Sequence, residues 1–145
     1  GTGIKHSEYN KNEDQPVKFL QIWLFPNKKN VTPRYDQITL NPADRKNKFQ
    51  QILSPNPNDE GVWIHQDAWF HMGNFDKELS IEYTLKKSGN GIYVFVLDGD
   101  VEVDGVGRIP VGVGQLNRQP QVGHADTKVA VVGGVDGDDR CRSSH

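Results

Sequence analysis

His6 and Glu8, inside the stretch GTGIKHSEYN, are the first residues of this chain whose types and spacing can do chemistry together. In a strand, side chains two apart project to the same face. An imidazole nitrogen and a carboxylate oxygen side by side suit a metal ion such as iron, copper, nickel or zinc. Two ligands are too few alone, since a catalytic centre generally takes about three from the protein and keeps one position open. On spacing alone, two solvated polar residues account for the pattern better than half a metal site does, because H-x-E occurs freely.

A second set runs through VWIHQDAWFHM, where alternation places Trp63, His65, Asp67, Trp69 and His71 on one face and Ile64, Gln66, Ala68 and Phe70 on the other. His65 and His71 are six residues apart, which is about 20 Å along an extended strand and too far for one ion. His65 and Asp67 can orient each other through a hydrogen bond, and the neighbouring tryptophans mark a structural face. Cys141 stands in a polar stretch with no histidine pattern beside it and receives no catalytic role. The glycines around 99–108 fall in turns that lead into no helix, so they form no phosphate-binding loop. No G-x-S-x-G nucleophile motif is present.

Strands are the elements that must position these residues. Apolar residues recur with a period of two through much of the chain, and no long 3.6-residue pattern competes. VKFLQIWLF (17–25) is apolar on both faces apart from Lys18 and Gln21, which predicts a strand covered on both sides. Residues 44–53, DRKNKFQQIL, suit either a helical turn or a strand, and SPNPNDEG (54–61) is an irregular loop. LSIEYTL (79–85) alternates cleanly, with Leu79, Ile81, Tyr83 and Leu85 inward and Ser80, Glu82 and Thr84 outward. IYVFVL follows as a buried run, and the Asp-Gly pairs after it and after VEV are hairpin signals. VAVV (129–132) supplies a final strand, and the small and charged residues beyond it read as a disordered tail. Many short strands at close spacing predict an all-β sandwich or barrel.

Composition narrows the function classes. The 145 residues fit one domain with a real core. Net charge is -2 with no long basic block, which predicts no nucleic-acid partner. The apolar runs are far shorter than the roughly 20 residues of a membrane span, so no membrane partner is expected. The polar, glycine-rich start lacks a signal-peptide core, and one cysteine permits no internal disulfide. The expectation is a soluble cytoplasmic domain.

Taken in order, GTGIKHSEYN, VKFLQIWLFPNKKNVTPRYDQ, ILSPN, GVWIHQDAWFHMG and YVFVLDGDVEVDG resemble the pirin family, the pirin-like proteins of the cupin superfamily that include quercetin 2,3-dioxygenases. The likeness covers about residues 1–105 and is mainly to the C-terminal half of a family member. It implies a cupin-type double-stranded β-helix, or jelly-roll barrel: essentially one barrel, plus a strand belonging to a first barrel that is missing. Residues 1–10 are then that residual strand of the N-terminal metal-binding barrel, 11–135 the C-terminal barrel, and 136–145 a disordered tail.

The resemblance also implies a site. Its metal ligands are an H-x-H pair and a later H-x-E, and His6 and Glu8 match the later pair residue for residue. Glu8 is then a ligand and the general base that takes the flavonol hydroxyl proton, after which oxygen adds and the ring opens with loss of carbon monoxide. The implied metal is iron, with copper or nickel as alternatives, and the implied substrate a flavonol. No H-x-H occurs in the chain, so the missing half of the site is expected upstream of Gly1. The alternative reading is a non-catalytic cupin module for binding or regulation. An unpartnered strand at residues 1–10 also invites a homodimer or strand exchange.

Overall fold

A computed structural model describes residues 2–103, 107–110, 112, 114–117, 121–123 and 127–136. Among them ten strands and one short 3-10 helix form, and no helix is long and apolar enough to cross a membrane. The 3-10 helix η1 (Pro42–Arg45) starts where Asn41 caps it, the Asn41 side chain accepting from Ala43 N, with proline in the first turn. β1 (Phe49–Ser54) follows directly. The 44–53 stretch therefore holds both a helical turn and a strand, one after the other.

β2 (Val62–Trp63), β3 (Trp69–Phe75), β4 (Ser80–Glu82), β5 (Asn90–Asp98) and β6 (Asp100–Val103) come next. β7 (Gly107–Pro110), β8 (Gly114–Asn117), β9 (Gln121–Gly123) and β10 (Thr127–Asp136) complete the set. One sheet has the order β2-β1-β3-β10-β5-β8, and the other β4-β9-β6-β7. All pairs are antiparallel except β1 with β2. β10 contains the expected VAVV strand and extends it to Asp136, running between β3 and β5. Of the expected disordered tail, residues 137–145, with Cys141, lie outside the described residues.

The two sheets meet in one core. Ile92, Val94 and Val96 of β5 and Phe75 of β3 pack with Val101 and Val103 of β6 and with Tyr83. The alternation of β5 sends Tyr93 the other way, to a smaller cluster around Ala68 and Phe70. Leu79, Ile81, Tyr83 and Leu85 point inward as the alternation predicts, with Ser80, Glu82 and Thr84 exposed. Only three residues of that stretch form ladder bonds.

The two Asp-Gly signals diverge. β6 and β7 pair as a hairpin across residues 104–106, which themselves lie outside the described residues. At Asp98-Gly99-Asp100 the chain instead leaves one sheet for the other, because β5 pairs with β8 and β10 and never with β6. A larger departure concerns the start of the chain. Residues 2–41 contain no strand, neither at 1–10 nor at 17–25. Val17, Phe19, Leu20, Ile22, Trp23 and Phe25 are exposed, and only Leu24 packs inward, against the Ala68 and Phe70 cluster. A strand apolar on both faces needs cover on both sides, and among the described elements only Leu24 finds any.

Candidate functional site

The non-regular segment is nonetheless pinned. Asn27 N donates to His65 O at 2.6 Å, and Gln66 Nε2 donates to Phe25 O at 2.9 Å. The Arg34 guanidinium lies over the Trp63 ring, 4.2 Å from its centroid, and donates to the Trp63 carbonyl. Arg34 also pairs with Asp36 at 2.8 Å, and this holds the Asp36 carboxyl below its usual range. A groove of about 490 Å³ runs between this segment and the outer face of the larger sheet, lined by Ile4, Ile22 and Leu24 on one side and Trp63 and Phe70 on the other.

His6 and Glu8 lie on the same segment, and neither lines the groove. His6 Nε2 is 3.3 Å from Glu8 Oε1, and Gln21 Nε2 donates to that oxygen at 3.4 Å. Their side chains are 57% and 49% exposed. The two donors approach each other although no strand presents them. Two ligand atoms about 2.1 Å from one ion lie about 3.0 Å apart at a right angle and about 3.4 Å apart at the tetrahedral angle. The observed separation falls between these values, so the pair fits half of a nitrogen and oxygen site. No group of three or more His, Cys, Asp or Glu side chains that could hold a metal occurs among the described residues.

The second histidine set is divided by the fold. Residues 65–67 bend between β2 and β3, which interrupts the alternation that would put all five residues on one face. His65 packs edge-on against Trp63, ring centroids 4.9 Å apart. Asp67 pairs with Lys87 rather than with His65. His71 is buried, and its Nδ1 lies 2.9 Å from the Tyr83 hydroxyl. Burial, helped by the charge of Lys86, lowers the His71 pKa to about 4, and burial pushes Tyr83 up to about 12. Residue spacing carried no sign of this pair, because it joins two chain segments twelve residues apart. The only available signal was the inward alternation of Tyr83, a polar-tipped residue that needs a partner when buried.

Two sheets sharing one core make this an all-β protein, and residues 51–107 match the quercetinase C-terminal cupin domain. The fold is similar to that of bacterial pirin YhhW from Escherichia coli in complex with nickel(II), with a TM-score of 0.65 and 20% identity over 75% of this chain and 47% of that one. A second YhhW structure from Escherichia coli gives 0.66 and 19%, over 81% and 50%. In sequence the chain is 30% identical over 133 residues to a quercetin 2,3-dioxygenase of Escherichia coli O157:H7, covering 91% of this chain and 56% of that protein. It is 31% identical over 106 residues to the quercetin 2,3-dioxygenase of Escherichia coli strain K12, covering 73% and 44%. The chain belongs to the pirin and quercetinase family and carries its C-terminal cupin domain. It spans about half the length of these curated relatives.

Proposed function

We propose that this chain is part of a pirin-like quercetin 2,3-dioxygenase in which His6 and Glu8 supply two ligands of a metal centre. The observation that carries the reading is the 3.3 Å approach of His6 Nε2 to Glu8 Oε1 in a chain related to quercetin 2,3-dioxygenases. Residues 1–10 then belong to the metal-bearing barrel. Residues 11–135 then belong to the second domain, whose strands run from β1 to β10. The remaining donors come from outside the described residues. A structural relative crystallised with nickel(II) supports a divalent ion of the iron, nickel or copper kind.

Such an ion, when bound, supplies the Lewis acidity that makes the flavonol hydroxyl a better acid. His6 would offer Nε2 and Glu8 a carboxylate oxygen to such an ion. Gln21 holds Glu8 Oε1 through its amide N–H, leaving Oε2 to take the hydroxyl proton. The flavonol anion then reacts with dioxygen and the ring opens with loss of carbon monoxide. Apolar residues of the groove that the same segment forms, Ile4, Ile22 and Trp63, would give a planar aromatic substrate a surface to lie against.

The test compares iron or nickel uptake and quercetin consumption for the wild-type chain and Glu8→Ala. The reading expects metal affinity to fall about tenfold or more in the variant and turnover to be lost. Equal uptake by both chains, or no uptake and no turnover by the wild type, overturns it. The incomplete donor set among the described residues favours a second reading, a non-catalytic cupin module. Stoichiometric metal that disappears in Glu8→Ala counts against that reading.

A further inference from the structure

On the core side of the larger sheet, a cavity of about 410 Å³ opens at the β1 and β3 end, within the size range of small-molecule sites. His71 and Trp69 of β3 line it, together with Asp59, Glu60 and Lys86. Gln51, paired across the strands with His71, is held by its amide N–H to the Glu60 carbonyl at 3.1 Å. The site lies apart from His6 and Glu8, which are not among its lining residues.

The charges and protons of this cavity are set by its surroundings. Tyr83 is 8% exposed, and His71 Nδ1 is the partner of its hydroxyl among the described residues. If Nδ1 carried the proton, the phenol O–H would be left buried and unpaired, the costlier arrangement. Tyr83 therefore donates to Nδ1, and the neutral His71 carries its proton on Nε2, which makes the ring a hydrogen-bond donor on its other edge. Lys86 makes no hydrogen bond or ion pair among the described residues, and neither does the Glu60 carboxylate. The Asp59 carboxylate is fixed by Asn56 Nδ2 at 2.9 Å. The cavity thus combines an N–H donor, an ammonium group, an indole wall and two carboxylates that are not used up on each other.

We propose that this cavity binds a small phenolic carboxylate. The ligand's carboxylate accepts from His71 Nε2–H and from Lys86 Nζ, its ring lies against Trp69, and its phenol O–H donates to Glu60 or Asp59. An anion without the hydroxyl leaves the acidic wall unsatisfied, and a phenol without the carboxylate leaves the donors unsatisfied. Both should bind less well than the molecule that carries the two groups. The proposal does not depend on metal at His6 and Glu8.

The test titrates the full chain, freed of metal by chelation, with 4-hydroxybenzoate while recording imidazole and indole nitrogen signals by NMR. His71 should show the neutral Nε2–H tautomer, and its signals and those of Trp69 should shift saturably. Lys86 is exposed, so Lys86→Gln keeps the fold, and it should weaken binding about tenfold. Benzoate and 4-methoxybenzoate should bind several-fold less tightly, and Glu8→Ala should bind like the wild type. The proposal is overturned if the His71 and Trp69 signals stay still at millimolar probe, or if Lys86→Gln binds equally well. Loss of binding in Glu8→Ala also overturns it, by placing the probe at the other pair.

Discussion

His71 and Tyr83 tie stability to pH from both sides. The folded chain keeps His71 neutral down to about pH 4, whereas an unfolded chain protonates it near its ordinary 6.5. Between those values the unfolded state binds more protons, so stability falls as pH falls, by on the order of 2–3 kcal/mol across the window. Tyr83 acts in the opposite range. Its folded value of about 12 lies above the ordinary 10.0, so stability present below pH 10 is lost as pH rises toward 12. Urea unfolding across pH checks both slopes. Tyr83→Phe removes the donor to Nδ1 and is expected to cost about 1–2 kcal/mol at pH 7. It should also remove the tyrosine's share of the alkaline decline, and an unchanged alkaline slope would show that Tyr83 is not its source. The closeness of His6 to Glu8 was legible in the chain because the two residues sit two apart. The partner of His71 was not, because contact between β3 and the strand end after β4 is made only by folding.

At the level of elements, Gly61 shows where backbone geometry limits sequence. Its φ is +92°, and a Cβ there would lie 2.3 Å from the Ile52 carbonyl carbon and oxygen, where the loop closes against β1 before β2. Gly61→Ala is expected to cost about 3 kcal/mol, combining an unfavourable dihedral with a clash against backbone that cannot rotate away. Gly89 has a similar φ of +87° with nothing within 4 Å. Gly89→Ala should therefore cost only about 1 kcal/mol. Denaturant midpoints of the two variants separate clash from dihedral, and equal losses would contradict the Ile52 contact. The same scale separates the readable strands from the unreadable ones. The alternation of residues 79–85 survived folding because one face meets the core. The bend at 65–67 broke the longer pattern around it, since the backbone turns where Ala68 N bonds to Gln66 O at 2.8 Å.

Across the whole molecule, apolar character and burial part company. Phe19 and Trp23 are 66% and 81% exposed, although their segment is among the most apolar in the chain. The double variant Phe19→Ser with Trp23→Ser should leave unfolding free energy within about 0.5 kcal/mol of the wild type. A loss above about 2 kcal/mol would show that the segment packs in solution. By contrast, Val94→Ala and Val101→Ala, on opposite sheets of one core and fully buried, should each lose about 2–3 kcal/mol in the same measurement.

By itself, the amino-acid sequence determined the β character, the inward face of residues 79–85, the β6–β7 hairpin, and the presence of the H-x-E pair. Those properties follow from side-chain alternation, turn chemistry and short spacing, all of which are local. Tertiary structure alone decided that β10 lies between β3 and β5, that the chain changes sheets at Gly99, and that His71 meets Tyr83 beside Lys86. It also decided that residues 17–25, apart from Leu24, remain uncovered among the described elements. Pairing partners and cover come from distant segments, and a strand's own residues record only that they need them.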